Sequence, residues 1–371
     1  MEAKWEVAVE MLFALLRASL HGKEVETAFF EQATADDWKE CHRLAVMQGV
    51  MALAWDGVSA LPPHLQPAKG LKLKWAMAVE AYEKKYARYC QTIAELSDFY
   101  REHGITTVQL KGVGLSTYYP NPAHREGGDI DIFTCSADTN KLTDTDANLL
   151  ADKLMKEQGI EVDMHSLKHS NFYYKGIPIE NHRTFLDVEQ FKVAKRVEIL
   201  LKKMMNPQTV GLVNDTYRIL TPSKEFNTIF LSFHAARHYG SGLALHHLCD
   251  WAMLISRHGL HLPDELTDHR LREAIAAFTK LCNRYLGTHV MIEGGDTLAD
   301  EMMPEILYPK FIQKGVAPKN KINTLIYKTK RFIYESRLSN RILYKPMWER
   351  IWDSIVVHIT KPDTIFRLNQ K

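Results

Sequence analysis

Cysteine is scarce and unpatterned in this chain. Its five residues (Cys41, Cys90, Cys135, Cys249 and Cys282) are scattered over 371 positions, odd in number and never spaced as C-x-x-C. A disulfide frame needs an even set and a zinc knuckle needs close pairs, so reduced thiols in a cytosol are the reading. No apolar run reaches the ~20 residues of a membrane span. The amino end, Met1-Glu-Ala-Lys-Trp-Glu, carries acids where a secretory signal would carry bases. A cytoplasmic, soluble protein is expected. A charge of one sign is also missing, with 47 basic against 45 acidic residues. The molecule as a whole is therefore not an electrostatic nucleic-acid binder. Internal repeats, heptads, low-complexity tracts and an H-E-x-x-H pair are all absent.

What is present is apolar mass, 46% of the chain, enough for a substantial core divided among two or three units. Residues 1–103 read as helical, with Val7, Met11 and Leu15, then Trp75, Val79, Tyr82 and Tyr86 at helical spacing. Residues 104–220 read as an α/β core, with a helix expected over Asp138–Glu157. Thr221-Pro-Ser-Lys-Glu225 reads as a helix start and opens a mostly helical region, 221–371.

The most informative stretch is Arg125-Glu-Gly-Gly128-Asp129-Ile130-Asp131-Ile132-Phe133. On a strand, residues two apart share a face, so both aspartates point one way and both isoleucines the other. Two adjacent carboxylates repel, and a hard cation such as Mg²⁺ or Mn²⁺ offsets that repulsion while leaving positions for substrate phosphates. Upstream, Ile105–Leu110 is strand-like and stops at Lys111-Gly112, before Leu115-Ser116-Thr-Tyr-Tyr119. Strand, glycine turn and helix start make an anion site, to which Lys111 adds charge. Downstream, Asn171–Tyr174 and Ile177–His182 read as a hairpin about Lys175-Gly176. Glu180 shares a face with His182 and is the expected third carboxylate. Asp187 and Glu189 are the rival pair, disfavoured because they resemble a solvated helix start.

Leu110-Lys111-Gly112, Tyr119-Pro120, Arg125, Gly128-Asp129-Ile130-Asp131 and Ile179-Glu180-Asn181-His182 together resemble a bacterial uncharacterised nucleotidyltransferase family of the DNA polymerase β-like superfamily. The likeness continues through Leu220-Thr-Pro222, His234-Ala-Ala-Arg237-His238 and Cys249-Asp250-Trp251. It implies an α+β fold, a polymerase β-like mixed sheet flanked by helical regions. It further implies that Asp129, Asp131 and Glu180 hold Mg²⁺ (or Mn²⁺) and activate a hydroxyl acceptor against the α-phosphate of an NTP. The nucleotide-binding set is then Lys111, Gly112, Ser116, Arg125, Gly128, His182, His234, His238 and Asp250. One departure from the superfamily is visible: Lys111-Gly112 stands where Gly-Ser or Gly-Gly is usual. A degenerate fold member that binds a nucleotide or a partner without turnover is the competing class, favoured if the third acid points away from the aspartates.

Histidine is frequent, 17 in all. His234 and His238 lie on one helix face, with His246, His247 and Asp250 a few turns on. Three readings apply: a wall of the nucleotide pocket (His234, His238, Asp250), packing, and a His/Asp phosphohydrolase metal centre. They are ranked in that order, with His246 and His247 taken as structural. Between Pro309 and Lys345, ten basic residues face one acid, Glu335, with apolar residues interleaved. Such a helix covers a core with one face and solvates the other; membrane-surface contact through 321–345 is the minor alternative.

Overall fold

The computed structural model describes residues 6–138, 142–311 and 320–360. A seven-stranded mixed sheet lies at its centre, built from β1 Ile105–Gln109, β2 Ile130–Ser136, β3 Val162–Asp163, β4 His169–Tyr174, β5 Ile177–His182, β6 Gln208–Leu212 and β7 Tyr217–Thr221. Their spatial order is β3-β4-β5-β2-β1-β7-β6. β2 runs antiparallel to β1 and parallel to β5, the latter in a register that sets Asp131 beside Glu180. The β4–β5 hairpin turns at Lys175 and Gly176, both with positive φ (51° and 74°), the two-residue turn that matches strand twist.

Side-chain alternation divides the sheet into two faces. Ile130, Ile132, Ile177 and Ile179 meet Ile93, Leu96 and Tyr100 of the long helix α4 (Lys69–Glu102) and Ala151 and Met155 of α6 (Asp144–Glu157). Each such aliphatic side chain contributes about 1.5–3 kcal/mol on burial. Asp131 and Phe133 point the other way. There Phe133 meets Phe185 at a tilt and Phe185 meets Phe226 of α8 (Lys224–His238) edge to face, at 4.7 and 4.9 Å between ring centroids. α6 begins six residues later than the sequence suggested, because the Thr143 hydroxyl caps it by accepting from the Asp146 N–H. Residues 139–141 of the expected helix lie outside the described residues. Ser223 caps α8 in the same way.

The amino-terminal helices, α1 (Val7–His21), α2 (Ala35–Met47) and α3 (Met51–Ala60), share one apolar cluster with α8, α9 (Leu245–His258), α10 (His269–Tyr285) and α11 (Asp296–Leu307). Polar bonds join the same elements: the His21 ring meets Leu286 O at 2.7 Å, and buried Gln48 donates to Ile306 O and accepts from Leu245 N–H. α5 is a single turn, Val113–Ser116, and α7 spans Lys192–Met204. α12 (Lys321–Ile342) departs from its expected arrangement. Its inward residues are Thr324, Ser336, Ser339 and Ile342, while Ile322, Leu325, Ile326 and Ile333 are exposed. α13 (Met347–Thr360) likewise exposes Trp348, Ile351 and Trp352. Lys314 and Lys319 of the basic stretch lie outside the described residues. Among the described residues, no helix is long and apolar enough to cross a membrane.

The turn that leads into β2 is fixed by a histidine. The buried His124 ring bonds Asp56 of α3 at 2.8 Å and Glu83 of α4 at 3.0 Å. Burial alone would lower its pKa, but the two carboxylate bonds outweigh burial and raise it. Its contribution is therefore fully present below the ordinary histidine value of about 6.5 and is lost as pH rises through the higher folded value. The gap in melting temperature between the native chain and His124→Gln is expected to be widest near pH 6 and to shrink on the alkaline side. A gap that is flat with pH would show that the imidazolium is not what holds the turn.

Candidate active site

Asp131 sits one residue inside β2, 1% exposed, on the face opposite the isoleucines. Its Oδ1 receives the Lys111 ammonium at 3.0 Å and the His182 Nε2 at 3.0 Å. Burial would raise its carboxyl, but Lys111 and the His182 bond override burial and hold it far below the carboxylate range. His182 is fully buried, with Nδ1 at 3.2 Å from Thr184 O and Nε2 also 3.5 Å from Glu180 Oε2. A ring with an oxygen acceptor on each side must donate from both nitrogens, so it is an imidazolium. Its pKa is accordingly raised by Asp131 and Glu180 against the opposing effect of burial.

Glu180 is brought in by register. As Asp131's neighbour on β5, it points to the same face, and its carboxylate, Asp131 and His182 offer ligand atoms within 4.8 Å of one another. His169, opposite His182 on β4, approaches Glu180 Oε2 at 3.7 Å. Burial would raise Glu180 too, and the His182 bond turns the balance downward, so it is ionised. Asp129 stands just before β2 and lies outside that tight cluster, yet its carboxyl is raised by burial and then by Asp131, with Glu180 adding to the effect. The turn before it is tied to α4, where Lys85 donates to Gly127 O and the Tyr89 hydroxyl to Gly128 O.

The Lys111-Gly112 turn follows β1, and Leu110 N–H still bonds Asp131 O at 3.0 Å. Gly112 has φ 63° and ψ −121°, a region that side chains reject. A valine there would strain the backbone as well as alter any phosphate contact. In the short helix behind it, the N–H groups of Gly114, Leu115 and Ser116 already donate to Lys111 O and Gly112 O.

Other expected site residues are placed differently. The Ser116 hydroxyl is buried and donates to Val113 O at 2.6 Å. Arg125 grips Asp250 with two nitrogens, at 3.0 and 2.6 Å, and the Tyr119 hydroxyl donates to the same carboxylate at 2.6 Å. Asp250 therefore does not join the histidines, and the phosphohydrolase reading loses its carboxylate. Of the rival acids, Asp187 is paired with Arg237 and Glu189 is exposed. His234 and His238 converge instead with His247, their ring centroids 4.6, 5.3 and 4.8 Å apart, and the three offer ligand atoms within 4.8 Å of one another. His247, expected to be structural, lies with them, and His169, which no sequence expectation placed, stands beside Glu180. The hairpin turn contained that signal: counting back from Lys175-Gly176 puts His169 opposite His182.

Asp131 Oδ2 supplies a test of the metal reading, because it is buried and has no hydrogen-bond partner among the described residues. A second carboxylate beside an orphaned carboxylate oxygen suits a hard divalent cation, so the residues fit the implied ion.

Neither a curated protein nor a solved structure matches the chain. The sequence model of the uncharacterised nucleotidyltransferase family matches residues 34–287, well over half of it. The mixed sheet, its helical flanks and this match agree: the chain belongs to the uncharacterised nucleotidyltransferase family.

Proposed function

We propose that this protein moves a nucleotidyl group from an NTP to a hydroxyl acceptor, with Asp129, Asp131 and Glu180 holding Mg²⁺ or Mn²⁺. The orphaned Oδ2 of Asp131, locked by register beside Glu180, carries this reading. When bound, the ions would lower the acceptor's pKa and offset charge on the phosphates and on the departing pyrophosphate. The acceptor oxygen forms a bond to the α-phosphorus as the bond from that phosphorus to the pyrophosphate oxygen breaks. The acceptor's proton passes to Glu180, which His182 keeps ionised. Lys111 keeps Asp131 ionised, and Gly112 allows the backbone to approach the phosphates. The third acid points toward the aspartates rather than away, which favours turnover over binding alone.

Incubation with each α-labelled NTP, Mg²⁺ and host extract tests the reading and shows which base is used and what is labelled. Nucleotide bound without label transferred would support the degenerate binder instead. Within that assay, Glu180→Gln is expected to lower turnover by about 10²–10⁴-fold while changing NTP affinity little. Asp187→Asn, which removes a charge partner of Arg237, should be mild for turnover. The reverse ranking would give the third-acid role to Asp187.

A further inference from the structure

We propose that Lys168, with His234, His238 and His247, forms a phosphate subsite beside the carboxylates that takes the terminal phosphates of the nucleotide. The proposal deepens the nucleotidyl-transfer reading and rests on it for the origin of the anion. Lys168 stands immediately before β4, half-buried, and its ammonium has no hydrogen bond or ion pair among the described residues. Its backbone carbonyl accepts from the Arg183 and Thr184 N–H groups, and the next residue, His169, stands 3.7 Å from Glu180 Oε2, so it lies beside the metal-binding face; burial lowers its pKa, with Asp187 opposing. A half-buried ammonium without a partner in a polar site calls for an anion.

The histidines feel the same charges. Lys111, which touches Asp131, acts on both His234 and His247, and Lys168 acts on His234 as well. The leading influences on those two rings, after burial, are lysines, other imidazoles and, for His247, the Ala244 backbone bond, with no carboxylate among them. Burial keeps both rings neutral, so the positive charge near them is that of Lys111 and Lys168, which a dication would add to and a phosphate would relieve. Hydrogen bonding points the same way. The Ala244 N–H donates to His247 Nδ1 at 3.2 Å, which places the proton of the neutral ring on Nε2. That nitrogen is then a donor suited to phosphate oxygen, and a metal at the same atom would need the lone pair the proton occupies. His247 can thus present an N–H to the tail of a nucleotide whose α-phosphate meets the carboxylates.

The experiment is calorimetric titration of inorganic tripolyphosphate into the full-length protein after chelator treatment, with a nucleoside monophosphate as the comparison ligand. Lys168→Ala should weaken tripolyphosphate binding at least tenfold and leave monophosphate binding within about twofold, and His234→Gln should independently weaken tripolyphosphate binding at least tenfold. Unchanged tripolyphosphate affinity in both folded variants would overturn the subsite. So would stoichiometric zinc or iron in untreated protein that disappears in His234→Gln. If tripolyphosphate binding ignores Lys168 while Asp131→Asn still destroys transfer, the subsite fails and the nucleotidyl-transfer reading stands. If no NTP is turned over but tripolyphosphate binds through Lys168, the subsite stands without that reading.

Discussion

Asp131→Asn is expected to cut nucleotidyl transfer on the order of 10³-fold, about 4 kcal/mol of transition-state stabilisation, while the protein remains folded. The amide keeps an oxygen for Lys111 and His182 to bond, so the local geometry has a substitute acceptor. What the amide lacks is charge, and its other atom is an N–H₂ donor where Oδ2 now faces inward without a partner. A donor in that position repels a cation. Titration of Mg²⁺ with NTP should therefore show the metal-dependent part of nucleotide binding lost. Repulsion between Asp129 and Asp131, taken alone, would make this variant neutral or more stable. The structure adds Lys111 and the His182 imidazolium, which already offset that repulsion. The melting temperature is therefore expected to fall modestly rather than rise. Metal-dependent NTP binding that survives in the variant would mean that the ion sits elsewhere.

Much of this site was legible because strands impose a period of two. The alternation Asp-Ile-Asp-Ile sorts acids from core residues without any tertiary information, and β2 buries Ile130 and Ile132 beneath α4 and α6 as that period requires. The hairpin was legible from Lys175-Gly176, and with it the facing of Glu180 and His182. What remained hidden depends on which strand lies beside which. The parallel pairing of β2 with β5 is separated by α6 and the β3–β4 segment in the chain, and no local pattern announces it. Lys168 was missed for a related reason. A lysine before a strand is ordinary until folding carries its segment beside the end of β5.

Helical regions were legible in kind and less so in partnership. His234 and His238 share a face by their spacing of four, but the third member of their cluster arrives from α9, whose approach is set by the turn at Tyr239–Ala244. Asp250 was grouped with them by proximity in sequence. On α9 it lies three residues from His247, and that small rotation along the helix turns it to Arg125 and Tyr119 instead. For α12, interleaved apolar and basic residues implied an inward apolar face, but small polar residues pack inward and several aliphatics remain exposed.

The Arg125–Asp250 pair joins the loop before β2 to α9 across 125 residues of chain, and both side chains are nearly buried, 11% and 8% exposed. Removing one partner of such a pair leaves an uncompensated charge in the interior, which costs about 3–5 kcal/mol. Arg125→Ala is expected to lose that much on denaturant unfolding, because Asp250 would retain only the Tyr119 hydroxyl and a cavity would open beside it. The Arg125→Met/Asp250→Leu double variant should recover a large part of the loss, since two apolar side chains of similar bulk bring no buried charge. The pair also sets the loop that carries Asp129, so NTP affinity should fall in Arg125→Ala and stay low in the double variant even as stability returns. That separation is the informative result: stability follows the charge balance, whereas binding follows the position of the loop and the guanidinium. If Arg125→Ala unfolds at the same denaturant concentration as the native chain, the pair is not the buried clasp its geometry describes. Should the double variant regain nucleotide affinity together with stability, Arg125 would be a clasp only, and its expected contact with the nucleotide would be wrong.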